Sequence, residues 1–194
     1  VLEAVGRRHT AEDTIRIFNL ARKMGFDNIN MDLIAGLPTD TVEGFRYSLD
    51  TASDLDPENI TVHTLAVKRA SGIGQNSPKI AVQNANKASE MLSYTYKKLY
   101  EKYHPYYMYR QKNAAGSVRS CNQENIGYAR EGKEGIYNIL IMEEMQSIVA
   151  LGAGTVSKNV MGDGRIERCD TVKDVDLYIA QIDEMIERKR KLYN

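Results

Sequence analysis

Apolar positions in the first third of the chain switch between the spacing of a helix and that of a strand. Ile17, Leu20, Ala21 and Met24 share one helical face, Thr10 can cap that helix with Asp13 three residues on, and Gly25 stops it. The run Asn28 to Ala35 (NINMDLIA) carries Ile29, Met31, Leu33 and Ile34, a density that predicts a strand covered on both faces as in a parallel sheet. Val42, Phe45, Leu49 and Ala52 then mark a second amphipathic helix, ended by Asp56 and Pro57 before a β-branched stretch from Asn59 to Ala66 (NITVHTLA). Helix, strand, helix, strand with short connections implies right-handed βαβ crossovers and a parallel sheet, open or closed into a barrel.

Beyond a loop marked by Gly72, Gly74 and Pro78, the pattern predicts a long helix from about Ile80 to Tyr103 on the face Ala81, Ala85, Ala88, Leu92, Leu99 and Tyr103. Tyr106 to Lys112 reads as a strand, Asn113 to Gly135 as a polar loop, and Ile136 to Met142 (IYNILIM) as another strand. Thr155 to Val160 and Arg165 to Arg168, joined through Gly162, Asp163 and Gly164, predict a hairpin. A last helix starts at Asp170 or Thr171 with Val175, Ile179, Ile182 and Ile186 inward, and its closing Arg188 to Lys191 suits a helix C-terminus and solvent. Val1, Leu2 and Val5 have the spacing of a helical face closed by Gly6, which, with a first residue other than methionine, reads as a chain already under way.

Composition narrows the function classes. The 194 residues are 42% hydrophobic and carry 26 basic against 26 acidic side chains. Such balance argues against general nucleic-acid or anionic-membrane binding, which needs a basic field. No apolar run nears the roughly 20 residues needed to span a bilayer, so a reduced cytoplasmic setting is the expectation. Two cysteines, Cys121 and Cys169, and three histidines without ligand spacing (His9, His63, His104) give no metal site.

In βα architectures the working residues gather at the carboxyl ends of strands, here Asp32, Ala35, Gly36 and Ala66. A carboxylate within an apolar strand requires either a structural partner or a ligand, and for Asp32 the residues alone leave both open. Arg7, between two helices, could clamp a carboxylate or simply sit at a helix terminus. The Leu151 to Gly154 segment (LGAG) lacks the third glycine of a dinucleotide loop and reads as a tight turn. Tyr103, Tyr106, Tyr107 and Tyr109 with Arg110 and Lys112 could floor a site for a flat polycarboxylate, or pack a strand. Cys121 lies in the polar stretch Gly116 to Asn125 with no activating triad nearby.

Three segments, GRRHTAEDTIRIFNLARKMGF (from Gly6), NINMDLIAGLPTDT (from Asn28) and DPENITVHTLA (from Asp56), resemble the radical S-adenosylmethionine enzymes of the oxygen-independent coproporphyrinogen III oxidase type. PYYMYRQKN, ENIGYAREGKEGIYNILIMEE and ALGAGTVSK look like the carboxyl-terminal part of an oxidase-like branch of that family. The resemblance implies an α/β fold: the C-terminal part of a partial (β/α)6 barrel over residues 1–80, then a family-specific α+β region over 81–194. It implies S-adenosylmethionine as cofactor, with Arg7, Asp32 and Ala66 binding it, the last through its backbone. It also implies a [4Fe-4S] cluster whose Cys-x3-Cys-x2-Cys ligands lie outside this chain. The implied chemistry is oxidative decarboxylation of coproporphyrinogen III propionates to vinyls, which this chain is expected not to perform alone. Two other readings stand beside it: part of a related haem-binding chaperone or trafficking protein, and a non-enzymatic half-barrel that self-associates through an exposed strand edge. The resemblance assigns no catalytic side chain and no tetrapyrrole-binding residue.

Overall fold

Thr10 opens the first helix, α1 (Ala11–Lys23), with a complete capping box: the Asp13 N–H donates to Thr10 Oγ1, and the Thr10 N–H donates to Asp13 Oδ2, both at 3.1 Å. Before it, a single 3-10 turn (Glu3–Val5) ends at Gly6, whose φ of 73° is the left-handed closing conformation expected of a glycine there. The computed structural model describes residues 1–37, 39–65, 78–110 and 124–194, with side chains described outside 78–86, 110 and 124. Ala66, Lys112, Cys121 and the 116–123 stretch lie outside the described residues, as do the side chains of Ala81, Ala85 and Arg110.

Strands β1 (Asn30–Ala35) and β2 (Asn59–Thr64) pair in parallel, with Asp32 opposite Thr61 and Ala35 opposite Thr64. Helix α2 (Val42–Asp54) makes the crossover between them, buries Val42, Phe45, Leu49 and Ala52 as its periodicity predicts, and is capped by Thr41. It ends before Asp56, held at a left-handed φ of 63° with its carboxylate between Lys102 and Arg130. The long helix α3 (Pro78–Leu99) follows, then β3 (His104–Arg110) and β4 (Glu124–Ala129). The sheet order is β1-β2-β4-β3, with β4 antiparallel to both neighbours, so the sheet is mixed and open rather than wholly parallel.

One face of this sheet makes the core. Ile60, Val62, Ala35 and Tyr128 pack with Phe45 and Leu49 of α2 and with Met91 and Leu99 of α3, with Tyr103 beside them. Each fully buried large apolar side chain contributes about 1.5–3 kcal/mol. The opposite face is open along β1, where Asn30, Asp32 and Ile34 are exposed, so the expectation of cover on both sides fails. The inward face assigned to the first helix also differs: Ile17, Leu20 and Met24 are exposed, and Phe18 is the buried residue, with the Arg22 guanidinium 5.1 Å from its ring centroid. Arg22 sets that orientation by reaching Glu58 Oε1 at 2.7 Å and the Asp56 carbonyl at 3.0 Å.

Residues Val1–Gly135 form one compact unit and Ile136–Asn194 a second. In the second, the segment read as a strand is a short helix, α4 (Ile136–Met142). An unbroken apolar run of this length fits either state, and here it forms a helix that buries none of its residues. The predicted hairpin is present as β5 (Val156–Val160) and β6 (Ile166–Asp170). The last helix is broken into α5 (Val175–Ala180) and α6 (Ile182–Tyr193) at Gln181, whose φ and ψ of −112° and 24° leave the helical region. The break shifts the phase of everything after it. Met185 and Leu192 are therefore the buried residues beyond it, while Ile182 and Ile186 are exposed; Val175 and Ile179, before the break, are exposed as well. Of the closing cations, Arg188 pairs with Glu184 and Lys189 donates to the Ala150 carbonyl.

Candidate functional site

Polar side chains collect on the open face of the four-stranded sheet because strand register puts alternate residues of β1 and β2 there together. Thr61 Oγ1 donates to Asn30 Oδ1 at 2.9 Å, and Asn30 Nδ2 donates to Asp32 Oδ1 at 2.6 Å. His63, two residues beyond Thr61 on the same face, brings Nε2 to 3.7 Å from the same Asp32 oxygen. The His63 side chain, followed by that of Asn30, holds the Asp32 carboxyl below its ordinary range against the opposing effect of burial. Asp32 is thus an ionised acceptor on an exposed surface, with 61% of its side chain accessible. Among the described residues nothing is hydrogen-bonded to its Oδ2.

The same face continues across β4 and β3. Gly127 lies opposite Thr61 in register, and Tyr107 opposite Gly127. The Tyr107 ring occupies the space above Gly127 so fully that a Cβ there would meet its Cδ1 and Cε1 at 2.4 Å. Burial, then the neighbouring Tyr106 and Asp32, push the Tyr107 phenol up from its ordinary value. The tyrosines do not make one floor. Tyr103 belongs to the core, donating its hydroxyl to the Pro57 carbonyl at 2.9 Å, whereas Tyr106 and Tyr107 meet edge to face at 5.3 Å on the sheet.

Of the expected cofactor residues, Asp32 lies in this polar face. Arg7 sits in the irregular link between Gly6 and Thr10, exposed, its N–H donating to the Leu2 carbonyl at 2.9 Å and its guanidinium unpaired among the described residues. Ala66 follows the end of β2 and is outside the described residues. Tyr107 was a candidate floor residue by sequence, whereas His63, Asn30 and Thr61 were not singled out for this site; the available signal was the two-residue alternation NxD in β1 and TxH in β2, which becomes meaningful once register is known.

Elsewhere, the LGAG segment is the tight turn its sequence suggests. Gly152 and Gly154 have φ of 110° and 69°, the Gly152 carbonyl accepts from Thr171 Oγ1 at 2.9 Å, and the Gly154 N–H is committed to the Val172 carbonyl at 2.8 Å. Among the described residues no group of three or more His, Cys, Asp or Glu could hold a metal ion, and no helix is long and apolar enough to cross a membrane.

No protein-family model matches the chain. It is 44% identical over 192 residues to the oxygen-independent coproporphyrinogen-III oxidase-like protein HemZ of Bacillus subtilis, a match covering 98% of this chain and 37% of that protein. Shorter matches join it to the heme chaperone HemW of Bacillus subtilis, 41% identical over 35% of this chain and 18% of that one. The oxygen-independent coproporphyrinogen III oxidase of Escherichia coli is 36% identical over 34% of this chain and 14% of that one. In fold, the chain is similar to the solved coproporphyrinogen III oxidase HemN of Escherichia coli, described as a radical S-adenosylmethionine enzyme, with a TM-score of 0.63 at 20% identity over 94% of this chain and 40% of that one. By its identity over nearly its whole length, the chain is a relative of the oxygen-independent coproporphyrinogen III oxidase-like proteins and shares the fold of a radical S-adenosylmethionine enzyme.

Proposed function

We propose that the chain is part of a radical S-adenosylmethionine oxidoreductase that oxidatively decarboxylates coproporphyrinogen III propionates to vinyl groups, and that its open sheet face binds the cofactor. The observation that supports this reading most is Asp32, held ionised by His63 and Asn30 on an exposed polar face of the sheet, in the first half of β1 and not at its carboxyl end. The donor set fits S-adenosylmethionine, whose hydroxyl and amine groups need acceptors. Asp32 would accept from those donors, Arg7 would take the cofactor's carboxylate, and Ala66 is the third residue proposed to bind it, through its backbone groups. When bound, the cofactor supplies the radical that abstracts hydrogen from the substrate. The described residues do not fit the [4Fe-4S] cluster, so its ligands are proposed to lie elsewhere in the complete protein, and this chain alone is proposed to be inactive. A cytoplasmic setting goes with this reading.

The match to a heme chaperone favours a second reading, in which the same scaffold carries haem and does not oxidise a porphyrinogen. Anaerobic assay of the reconstituted complete protein separates the two. Conversion of coproporphyrinogen III to vinyl products supports the oxidase; stoichiometric haem binding without turnover supports the chaperone.

A further inference from the structure

His63 is the one basic side chain within ion-pair range of Asp32 among the described residues, and it comes from the neighbouring strand rather than from Asp32's own. Both it and Asn30 approach Oδ1. Two groups on one oxygen fix the plane of the carboxylate and leave Oδ2 to accept from a ligand. Asn30 is itself fixed by the Thr61 hydroxyl, so three residues of two strands orient a single carboxylate. Across the sheet, the Asp32 charge adds a small upward push to the Tyr107 phenol, after burial and Tyr106.

We propose that His63 is a positioning residue for cofactor binding: it acts through Asp32, aiming the carboxylate's free oxygen at the hydroxyl or amine donors of S-adenosylmethionine. This rests on the cofactor reading above. The role differs from direct contact in one measurable respect, which is that it disappears when Asp32 can no longer serve as an anionic acceptor.

Equilibrium binding of S-adenosylmethionine to the reconstituted complete protein, measured anaerobically for a double-mutant cycle, tests it. His63→Ala should weaken binding about 3- to 10-fold in the parent, an effect the size of one oriented polar contact. In an Asp32→Asn background the same change should be nearly silent. His63→Gln, which restores a donor at similar reach, should recover most of the affinity. If His63→Ala does not fold, judged by far-UV circular dichroism, His63→Leu carries the cycle. Unchanged affinity on losing His63, or an equal loss in both backgrounds, overturns the proposal. An Asp32→Asn variant that binds as tightly as the parent instead overturns the cofactor site itself.

Discussion

The ring of Tyr107 on β3 rests directly on Gly127 of β4, in the volume a side chain at position 127 would fill. This packing explains a glycine inside a strand, where it otherwise weakens the ladder. Gly127→Ala should destabilise the first unit by about 1–3 kcal/mol, because the added methyl must push an aromatic ring aside. Urea unfolding checks it, and Tyr107→Ala in the same chain should cancel most of the loss, since the two contacts at 2.4 Å are then gone and Tyr106 Cε1, at 3.0 Å, is the tight neighbour that stays.

Arg22 and Glu58 tie α1 to the start of β2. Glu58 Oε2 also accepts from the Ile29 N–H at 2.9 Å, so one carboxylate joins helix, β1 approach and β2. Burial raises the Glu58 carboxyl, but Arg22 and the Ile29 N–H outweigh it and hold it below its ordinary range. A carboxyl whose folded value is depressed stabilises above its unfolded value and loses that contribution as pH falls through the folded one. Glu58→Gln should therefore cost about 1–3 kcal/mol near neutrality and flatten the decline in stability below about pH 4. Denaturant melts of both proteins across pH 3–7 check this; parallel curves would contradict it.

Much of the scaffold was legible in the sequence, for reasons that can be named. Val42, Phe45, Leu49 and Ala52 kept a strict helical spacing and all four are buried. The β1, β2 and β5–β6 segments had turn residues at their ends. Reading failed where periodicity was short or interrupted. The strand β4 was hidden in a polar stretch because its Gly127 looks like a loop residue until the Tyr107 ring is seen above it. IYNILIM has too few residues to distinguish strand from helix. Gln181 carries no obvious breaker signal, yet the phase change there moved the buried set to Met185 and Leu192. At the site, Asp32 was visible as a carboxylate in an apolar run, whereas His63 became its partner only through parallel register.

In the second unit, Thr171 holds the Gly152 turn against the hairpin. Its hydroxyl donates to the Gly152 carbonyl and accepts from the Thr155 N–H, each at 2.9 Å. Thr171→Val keeps the shape and leaves the Thr155 N–H unpaired, while the Gly152 carbonyl keeps the Thr155 hydroxyl as donor at 2.9 Å, at a cost of about 1–3 kcal/mol. Amide hydrogen exchange at Thr155 should accelerate in the variant and stay unchanged in Thr171→Ser.

Tyr128 is buried in the core, and burial, with a smaller contribution from Tyr96, pushes its phenol up to about 12. A group whose folded value is raised stabilises fully below its unfolded value of about 10 and loses that contribution as pH rises toward the folded one. Tyr128→Phe should therefore lose less stability than the parent between about pH 10 and 12. Thermal melts over that range check the difference.

The central claim, that the open polar sheet face binds S-adenosylmethionine, is tested most directly by the affinity of the reconstituted complete protein for that cofactor with Asp32→Asn and Arg7→Ala. Each should weaken binding about 10- to 100-fold with the fold intact, as expected for loss of one charged hydrogen-bonding group. Affinity unchanged in both variants would contradict the account and leave Asp32 and His63 as a polar pair on a sheet surface.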